Sequence, residues 1–253
     1  LSAHLDKDKI TRSADEFKKA YDNFSYVVKS LDFDLGFMID AGGEKIWLAT
    51  NKGEVFDDDR FLVIVLKLFL MTTPDVKKIA VPVQASREVD LVAKEYGVEV
   101  IRVKDSHYAM MNACNDKEVK FVGGTRRGVF FPDFLYATDG MFAIAKILEM
   151  NAKIKMNIED IDKIIPTLHS RKVNMNCTRE EKGRIIRRFM EDTMNYKQQL
   201  VDGVKIFLND SDVILCIPDK TRDLVHLNVE CDSAEKAERL LEEYKEKIQT
   251  YIS

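Results

Sequence analysis

The sequence predicts an α/β fold in which parallel, mixed α/β domains precede an α+β C-terminal domain with an antiparallel sheet. Two observations lead to this prediction. In the middle of the chain, apolar runs at residues 78–83 and 98–103 flank a helical pattern at 86–96, and strands joined through a helix lie parallel. Towards the C-terminus, apolar runs at 204–208 and 213–217 are separated by four polar residues, which is typical of an antiparallel hairpin.

The composition is that of a globular protein. The chain has 253 residues, of which 45% are hydrophobic and 32% are charged, and this length suits one large domain or two to three small ones. The formal net charge of -4 indicates no general affinity for nucleic acids. The longest apolar run, Phe61 to Met71, is interrupted by Lys67 and is too short to span a membrane. We therefore expect neither a nucleic-acid partner nor a membrane partner.

The cysteines and the N-terminus indicate the compartment. The four cysteines are scattered along the chain, with no CxxC pair and no histidine at zinc spacing. Reduced thiols of a cytoplasmic protein are the simplest interpretation, and no signal peptide is recognisable. The chain begins at Leu1 rather than at a methionine, so we expect it to be part of a longer protein.

Residues 1–70 predict the second half of an α/β domain. Residues 1–6 indicate the end of a strand, and residues 13–31 predict a helix opened by a capping box of Ser13 and Glu16. Residues 34–50 predict two buried strands joined by a glycine-containing loop. A helix follows from about Arg60 to Met71.

Acidic residues stand at two places in this region. Asp40 and Glu44 lie at the ends of the glycine-containing loop, where carboxylate oxygens suit a divalent cation. Three consecutive aspartates at 57–59 precede the next helix. We interpret these three as helix capping and as a favourable interaction with the helix dipole, rather than as a metal site.

The remainder of the chain predicts three further parts. Residues 71–153 predict a complete α/β domain, residues 154–169 a linker with a short helix, and residues 170–253 an α+β domain. In the last part we expect a helix from Thr178 to about Tyr196, and a final helix capped by Ser233. The other elements expected in these parts are helices at 106–114, 139–150 and 157–166, and strands at 119–122, 129–131, 172–177 and 224–231.

The glycine-containing loop resembles the metal loop of the phosphohexomutases, the phosphoglucomutase and phosphomannomutase family. That family has Asp-Gly-Asp-Gly-Asp-Arg, whose aspartates hold magnesium. Here residues 40–45 are Asp-Ala-Gly-Gly-Glu-Lys, so the first acid survives as Asp40, the last is Glu44 and the middle one is lost. Because the carboxylates supply the charge that binds a hard cation, the resemblance implies a vestigial metal loop at Asp40 and Glu44.

Three later motifs extend the resemblance and depart from it. Residues 104–107 resemble the family's Lys-x-Gly-His turn and keep its lysine and histidine. Residues 123–128 occupy the place of the sugar-reading loop Gly-Glu-x-Ser-Gly-His, but Glu, Ser and His are replaced. Residues 217–223 stand where the family clamps phosphate with Arg-x-Ser-x-Thr-x-Pro, and only Thr221 remains. Asp219 would repel a phosphate there.

The resemblance covers nearly all 253 residues and begins midway through the family's second domain, so the phosphoserine that transfers the phosphoryl group lies outside the chain. The runs at 81–86, 202–206 and 217–219 resemble the mutase-like C-terminal half of fused mannose-1-phosphate guanylyltransferases. In those proteins a nucleotidyltransferase domain and a left-handed β-helix precede a degenerate mutase module. Fold analogy alone assigns no function.

The resemblance implies two functions, and the three eroded motifs favour the first. In the first, the chain is a catalytically degenerate module of a sugar-phosphate nucleotidyltransferase with a structural or regulatory role. It then has no catalytic residue and no cofactor, and its expected partners are the upstream domain of the same chain, a second copy and a sugar phosphate. In the second, the chain is the C-terminal part of an active phosphohexomutase, an intramolecular phosphotransferase that uses magnesium.

Five residues are candidates for contact with phosphate or substrate. Lys104 and His107 could meet a phosphate, although a surface turn explains them equally well. Arg126 and Arg127 lie on a glycine-rich loop, where guanidinium groups and backbone amides suit an anion. Thr221 is the surviving residue of the clamp.

Overall fold

The computed structural model describes residues 13–124 and 126–252. The strand end expected at residues 1–6 lies outside them. The helices of the described residues are α1 Ala14–Ser30, α2 Asp58–Thr72, α3 Glu88–Glu95, α4 His107–Ala113, α5 Gly140–Ile154, α6 Ile158–Ile164, α7 Arg179–Asp192 and α8 Ala234–Ile252. The strands are β1 Leu35–Ile39, β2 Ile46–Thr50, β3 Lys78–Pro82, β4 Glu99–Val103, β5 Val119–Gly123, β6 Val129–Phe130, β7 His169–Asn176, β8 Lys197–Gln199, β9 Val204–Phe207, β10 Val213–Pro218 and β11 Leu224–Cys231.

Helix α1 begins where its capping box predicts. The Ser13 side chain accepts a hydrogen bond from the backbone N–H of Glu16, and the Glu16 carboxylate accepts one from the N–H of Ser13. Two donors that the first turn leaves without helical partners are satisfied in this way. At α2, Asp57 caps the helix by accepting from the N–H of Arg60 at 2.7 Å. The interpretation of the aspartate run as helix capping is confirmed for Asp57.

The strands form three sheets. Strands β1 and β2 form an antiparallel pair in which Ile39 faces Ile46. A mixed sheet has the order β4-β3-β5-β6, with β5 and β6 antiparallel. A five-stranded antiparallel sheet has the order β7-β11-β10-β9-β8. The predicted α/β fold with an antiparallel C-terminal sheet is confirmed.

The described chain divides into two compact units. Unit 1 contains the residues up to Ile79 and those from Ala113 to Ile165, and unit 2 contains residues 80–112 and the residues from Pro166 onwards. Each unit therefore draws on two separate stretches of chain. The sequence-based division at 1–70, 71–153, 154–169 and 170–253 stays a prediction.

The core of unit 1 is built around α2. Every residue from Phe61 to Leu70 is buried, as expected for a helix that is apolar on all sides. An aromatic cluster adjoins it, in which Phe69 lies 5.4 Å from Phe121 and Phe131 lies 5.6 Å from Phe142 between ring centroids. Offset and edge-on ring contacts of this kind stabilise the core beyond the area they bury.

The core of unit 2 lies between α7, α8 and one face of the five-stranded sheet. The sheet contributes alternate residues of each strand, among them Val204, Ile214 and Leu227, and α8 contributes Leu241 and Ile248. The predicted α+β arrangement is confirmed, and α7 and α8 pack on one side of the sheet. The residues that alternate with these core positions lie on the opposite face of the sheet, because successive side chains in a strand point to opposite sides.

The end of α7 and the strand after it differ from the sequence-based expectation. Helix α7 ends at Asp192 rather than near Tyr196, because side chains satisfy its last carbonyls. The Thr193 hydroxyl donates to Phe189 O, and the Gln198 amide donates to Met190 O at 2.8 Å. The chain then continues as strand β8, which the sequence analysis missed.

All four cysteines are free and buried, in agreement with the expected reduced thiols. Burial raises the pKa of Cys216 and of Cys231 to about 12 and that of Cys114 to about 11. Among the residues that the structure describes, no helix has the combination of length and apolar character that a membrane crossing requires.

Candidate functional site

The loop between β1 and β2 is organised by the carboxylate of Asp40. Its Oδ1 accepts hydrogen bonds from the backbone N–H groups of Glu44 and Lys45, at 2.8 and 2.9 Å. Gly43 donates its N–H to the Asp40 carbonyl and has a φ of +70°, a conformation that favours glycine. Asp40 is therefore a turn-forming residue, as aspartates often are in tight loops.

The loop does not fit a resident magnesium ion. One oxygen of Asp40 is already engaged by two N–H groups, and Glu44 is exposed. Within residues 13–124 and 126–252, no group of three or more His, Cys, Asp or Glu side chains is placed to hold a metal ion. The missing middle acid therefore has no replacement from elsewhere in the described chain.

The same loop packs against the start of α5 and against residues 126–128. Gly43 O accepts a hydrogen bond from the N–H of Gly140 at 2.7 Å, and the N–H of Ile46 donates to Arg127 O at 3.4 Å. A Cβ at Gly140 would lie 2.8 Å from Gly43 O and 2.9 Å from Ile39 Cδ1. Unit 1 thus brings together the metal-loop and sugar-loop positions that the sequence analysis singled out.

The two arginines of the sugar-loop position have different surroundings. Arg127 is 7% exposed, while Arg126 is exposed. The Arg127 guanidinium donates to the Asp58 carboxylate and to Phe56 O, and its Cζ lies 5.5 Å from the centroid of the Trp47 ring. Charge-assisted and cation–π contacts of this kind hold the side chain inside unit 1. Arg127 therefore fixes the loop to the start of α2 and points away from solvent.

In unit 2, residues 104–107 adjoin the loop that stands in the place of the phosphate clamp. The Lys220 ammonium donates to Asp105 O at 3.1 Å and to the Asp202 carboxylate at 3.3 Å. The same Asp202 oxygen accepts from the N–H of Asp105. The side chains of Lys104 and His107 are exposed, as is Thr221. The structure thus brings three of the sequence-based candidates onto neighbouring loops.

The clamp-like loop is folded around the Asp219 carboxylate. Oδ1 accepts from the backbone N–H groups of Arg222 and Thr221, at 2.7 and 2.9 Å, and from the Thr221 hydroxyl. Oδ2 accepts two hydrogen bonds from the Arg222 guanidinium and lies 2.9 Å from His226 Nε2. The backbone N–H groups of Arg222 and Thr221, followed by the Arg222 and His226 side chains, hold the pKa of Asp219 well below its usual range.

These are the donors that an oxyanion would need. Successive backbone N–H groups in a turn form an anion-binding concavity, and a nearby guanidinium strengthens it. In this loop the anion is the protein's own carboxylate. The resemblance implied that Asp219 would repel a phosphate; the geometry adds that Asp219 occupies the donors themselves.

A family model and individual relatives both match this chain. Residues 57–168 match the family model described as phosphoglucomutase/phosphomannomutase, alpha/beta/alpha domain III. The chain is 25% identical to a phosphoglucomutase/phosphomannomutase of Thermococcus kodakarensis, over 96% of this chain and 53% of that protein. It is 26% identical to a probable phosphoglucosamine mutase of Methanopyrus kandleri, over 96% of this chain and 54% of that protein.

Solved structures show the same fold. A phosphoglucomutase/phosphomannomutase family protein of Burkholderia thailandensis superposes with a TM-score of 0.78 at 19% identity, over 92% of this chain and 50% of that one. The N-acetylphosphoglucosamine mutase of Aspergillus fumigatus, solved in complex with GlcNAc-6P and magnesium, gives a TM-score of 0.61 at 10% identity, over 90% and 55%.

The solved structures show the fold, and the family model covers residues 57–168. Residues 57–168 form a phosphoglucomutase/phosphomannomutase-like domain. The chain spans about half the length of the curated relatives it matches.

Proposed function

We propose that this chain is a phosphohexomutase-like module that has lost mutase turnover. It forms the C-terminal part of a sugar-phosphate nucleotidyltransferase of the mannose-1-phosphate guanylyltransferase type, where it has a structural or regulatory role. Its partner is then the nucleotidyltransferase domain of the same polypeptide. The module itself needs no cofactor for this role.

The main support for the proposal is that the Asp219 carboxylate occupies the hydrogen-bond donors of the clamp-like loop. A phosphate that entered the loop would have to displace a carboxylate held by two backbone N–H groups, a hydroxyl and a guanidinium. It would also meet the negative charge of Asp219, whose lowered pKa keeps it ionised. Both effects oppose the binding of a sugar phosphate in this loop.

The loops of unit 1 support the same conclusion independently. Phosphoryl transfer depends on positioning and on charge stabilisation by a metal ion. The Asp40 carboxylate accepts hydrogen bonds within its own turn, and Arg127 donates a hydrogen bond to Asp58. These two charged side chains are therefore engaged within the protein rather than directed at a substrate.

The alternative is that the chain is the C-terminal part of an active phosphohexomutase whose phosphoserine lies upstream. The relatives favour it, because they are named as phosphoglucomutases, phosphomannomutases and phosphoglucosamine mutases. In that case magnesium would be the cofactor, as in the Aspergillus fumigatus complex.

Two assays of the full-length natural protein separate these functions. A coupled assay with mannose 1-phosphate or glucose 1-phosphate and the matching bisphosphate activator measures mutase turnover. A second assay measures guanylyl transfer from GTP to mannose 1-phosphate. We expect no mutase turnover and measurable guanylyl transfer. Mutase turnover near ~10 per second, a typical enzyme value, would overturn the proposal and establish the alternative.

The clamp can be tested on this chain directly. In Asp219→Ser the donors lose their internal anion, so inorganic phosphate should raise the unfolding temperature of the variant and leave that of the parent unchanged. Asp223→Ser is the matched control, because Asp223 is an exposed acid of the same loop. Equal stabilisation of all three proteins by phosphate would show that Asp219 does not fill the clamp.

A further inference from the structure

Helix α5 is apolar on two sides. One side lies in the core of unit 1, where Ala143, Ile147 and Met150 are buried. The residues on the opposite side are also apolar but exposed, and they are Met141, Ala145, Leu148 and Ala152. A helix at the surface of a protein usually carries polar residues on the side away from the core. The exposed apolar side of α5 is therefore unusual for a helix that meets only solvent.

The four exposed residues form a stripe along the helix. They follow one another at spacings of four, three and four residues, which is the spacing of the a and d positions of a coiled coil. At a rise of about 1.5 Å per residue, the stripe is ~16 Å long. An apolar stripe of this narrow form is the seam along which one helix packs against another.

The loop before α5 enlarges this apolar surface. The Phe134 ring stacks on the Phe142 ring of α5, with 3.8 Å between their centroids, and Phe134 is 55% exposed. Leu135 is exposed as well. Contiguous apolar patches, unlike single exposed residues, commonly mark interaction sites. We call the four stripe residues together with Phe134 and Leu135 the α5 surface.

The charged side chains beside the α5 surface are of both signs and bind one another. Lys146 donates to the Glu149 carboxylate at 2.8 Å, and Lys153 donates to the same carboxylate. Beside the loop, Lys120 pairs with Asp133 at 2.7 Å. An apolar centre within a polar rim is the usual composition of a protein–protein interface. Because neither sign dominates the rim, its charges favour a self-complementary partner over a strongly acidic or basic one.

The order of side chains along the stripe identifies the partner. Large and small residues alternate, as Met141, Ala145, Leu148 and Ala152. If two α5 helices pack antiparallel about a two-fold axis, Met141 meets Ala152 of the second copy. In the next layer, Leu148 meets Ala145 of the second copy. Each layer then combines one large and one small side chain, which fills the space between the helices evenly. A parallel pair would instead set Met141 against Met141 and Ala145 against Ala145.

We propose that the α5 surface is a homodimer interface in which two α5 helices pack antiparallel. Such an interface is isologous, because the same surface of each copy forms it. The loop at the start of one α5 then lies beside the end of the other, so that Phe134 and Leu135 extend the contact at both ends. A standard interface buries ~800 Å² per partner. A single stripe supplies only part of this area, and we therefore expect dissociation in the micromolar range. The proposal does not depend on whether the protein is a mutase.

Sedimentation equilibrium of the full chain measures the association. Over total concentrations of about 1–300 µM, which bracket a micromolar dissociation constant, we expect a shift from monomer to dimer. Leu148→Glu should raise the dissociation constant at least ~tenfold, because its carboxylate would be buried without a partner in the dimer but exposed in the monomer. Met194→Glu is the matched control, since Met194 is an exposed apolar residue of unit 2, and it should leave the dissociation constant unchanged. Circular dichroism checks that both variants fold.

Thiol cross-linking tests the orientation of the two helices. An equimolar mixture of Met141→Cys and Ala152→Cys copies should give a disulfide-linked dimer under mild oxidation. Met141→Cys alone should not, because in an antiparallel pair the two copies of residue 141 are ~16 Å apart along the axis. The parent chain is the control, because its four cysteines are buried.

A chain that stays monomeric at every concentration would overturn the proposal and assign the α5 surface to a different partner. A dimer that Leu148→Glu leaves intact would also overturn it, because the contact would then lie elsewhere. Disulfide formation by Met141→Cys alone would overturn the antiparallel arrangement. The cross-linking result decides the question if Leu148→Glu does not fold.

Discussion

At the scale of single residues, Arg127 shows how one side chain settles the conformation of a loop. It combines a φ of +63° with a buried guanidinium bonded to Asp58 and Phe56. We expect Arg127→Ala to lower the free energy of unfolding by about 2 kcal/mol, because the partly buried Phe56 carbonyl loses its donor while Asp58 remains half-exposed and solvated.

Urea denaturation measures this difference. Arg126→Ala is the control, since Arg126 is the exposed neighbour on the same loop and exposed substitutions usually change stability by about 0.5 kcal/mol or less. Equal losses for the two variants would contradict the structural role assigned to Arg127.

The second prediction at this scale concerns Lys205 and the pH dependence of the free energy of unfolding. Burial lowers the pKa of Lys205 to about 7 in the folded protein, from 10.5 ordinarily. Between these values the unfolded chain holds a proton that the folded chain has lost, so stability rises with pH. The slope from one proton is at most about 1.4 kcal/mol per pH unit, and the contribution is constant below about pH 7.

Urea unfolding between about pH 7 and pH 9 measures the slope. Lys205→Met should remove the part due to this group, whereas Lys94→Met, which removes an exposed lysine of α3, should keep it. A parent and a Lys205→Met variant with identical slopes would show that Lys205 stays protonated in the folded protein.

The sequence revealed some of these roles and concealed others. Asp219 was recognisable from the sequence as a residue that repels phosphate, because it replaces a serine in a clamp motif. Its own hydrogen bonds depend on the turn geometry and on His226, seven residues away. Lys205 lies between two buried residues, Val204 and Ile206, a pattern that indicates a solvent-facing position. Only the packing of the segment around Val83 makes it a buried one.

At the scale of elements, two helical glycines differ in what surrounds them. Gly140 begins α5 with no room for a methyl group, since a Cβ there would lie within 3 Å of Gly43 O and Ile39 Cδ1. Gly183 lies inside α7 with nothing within 4 Å of the same position. We expect Gly140→Ala to destabilise by about 1–3 kcal/mol through overpacking. Gly183→Ala should stabilise by about 0.5–1 kcal/mol through helix propensity.

Thermal and urea unfolding of the two variants side by side give a matched comparison, because both replace a helical glycine by alanine. Opposite signs are the expected result. If both variants stabilise the protein, the loop between β1 and β2 packs less closely against α5 than the distances at Gly140 indicate.

The elements themselves were predicted best where local chemistry decides them. The capping boxes at Ser13 and Thr178 fix the starts of α1 and α7 through contacts three residues apart. The end of α7 was predicted too late, because Gln198, outside the helix, supplies the donor to Met190 O. Strand β8 has only three residues and follows that turn, so no periodic pattern marks it.

At the scale of the whole molecule, the losses at several loops must be considered together. Catalytic contacts act as a unit, so restoring one member of an impaired set seldom restores turnover. Asp219→Ser should open the clamp-like loop to phosphate. The metal loop would still lack an acid among the described residues, and Arg127 would still be bonded to Asp58. Removing one preorganised charged contact commonly costs about 2.7–4 kcal/mol in the transition state, and at least two would still be missing.

We therefore expect the full-length natural protein carrying Asp219→Ser to bind phosphate without gaining mutase turnover. The coupled assay with mannose 1-phosphate and its bisphosphate measures the rate, and phosphate-dependent thermal stabilisation of the same preparation confirms that the clamp has opened. The unchanged protein and Asp223→Ser serve as controls for both measurements. Turnover that appears in Asp219→Ser alone would show that the clamp is the only barrier, and that the remaining loops retain a working phosphohexomutase site.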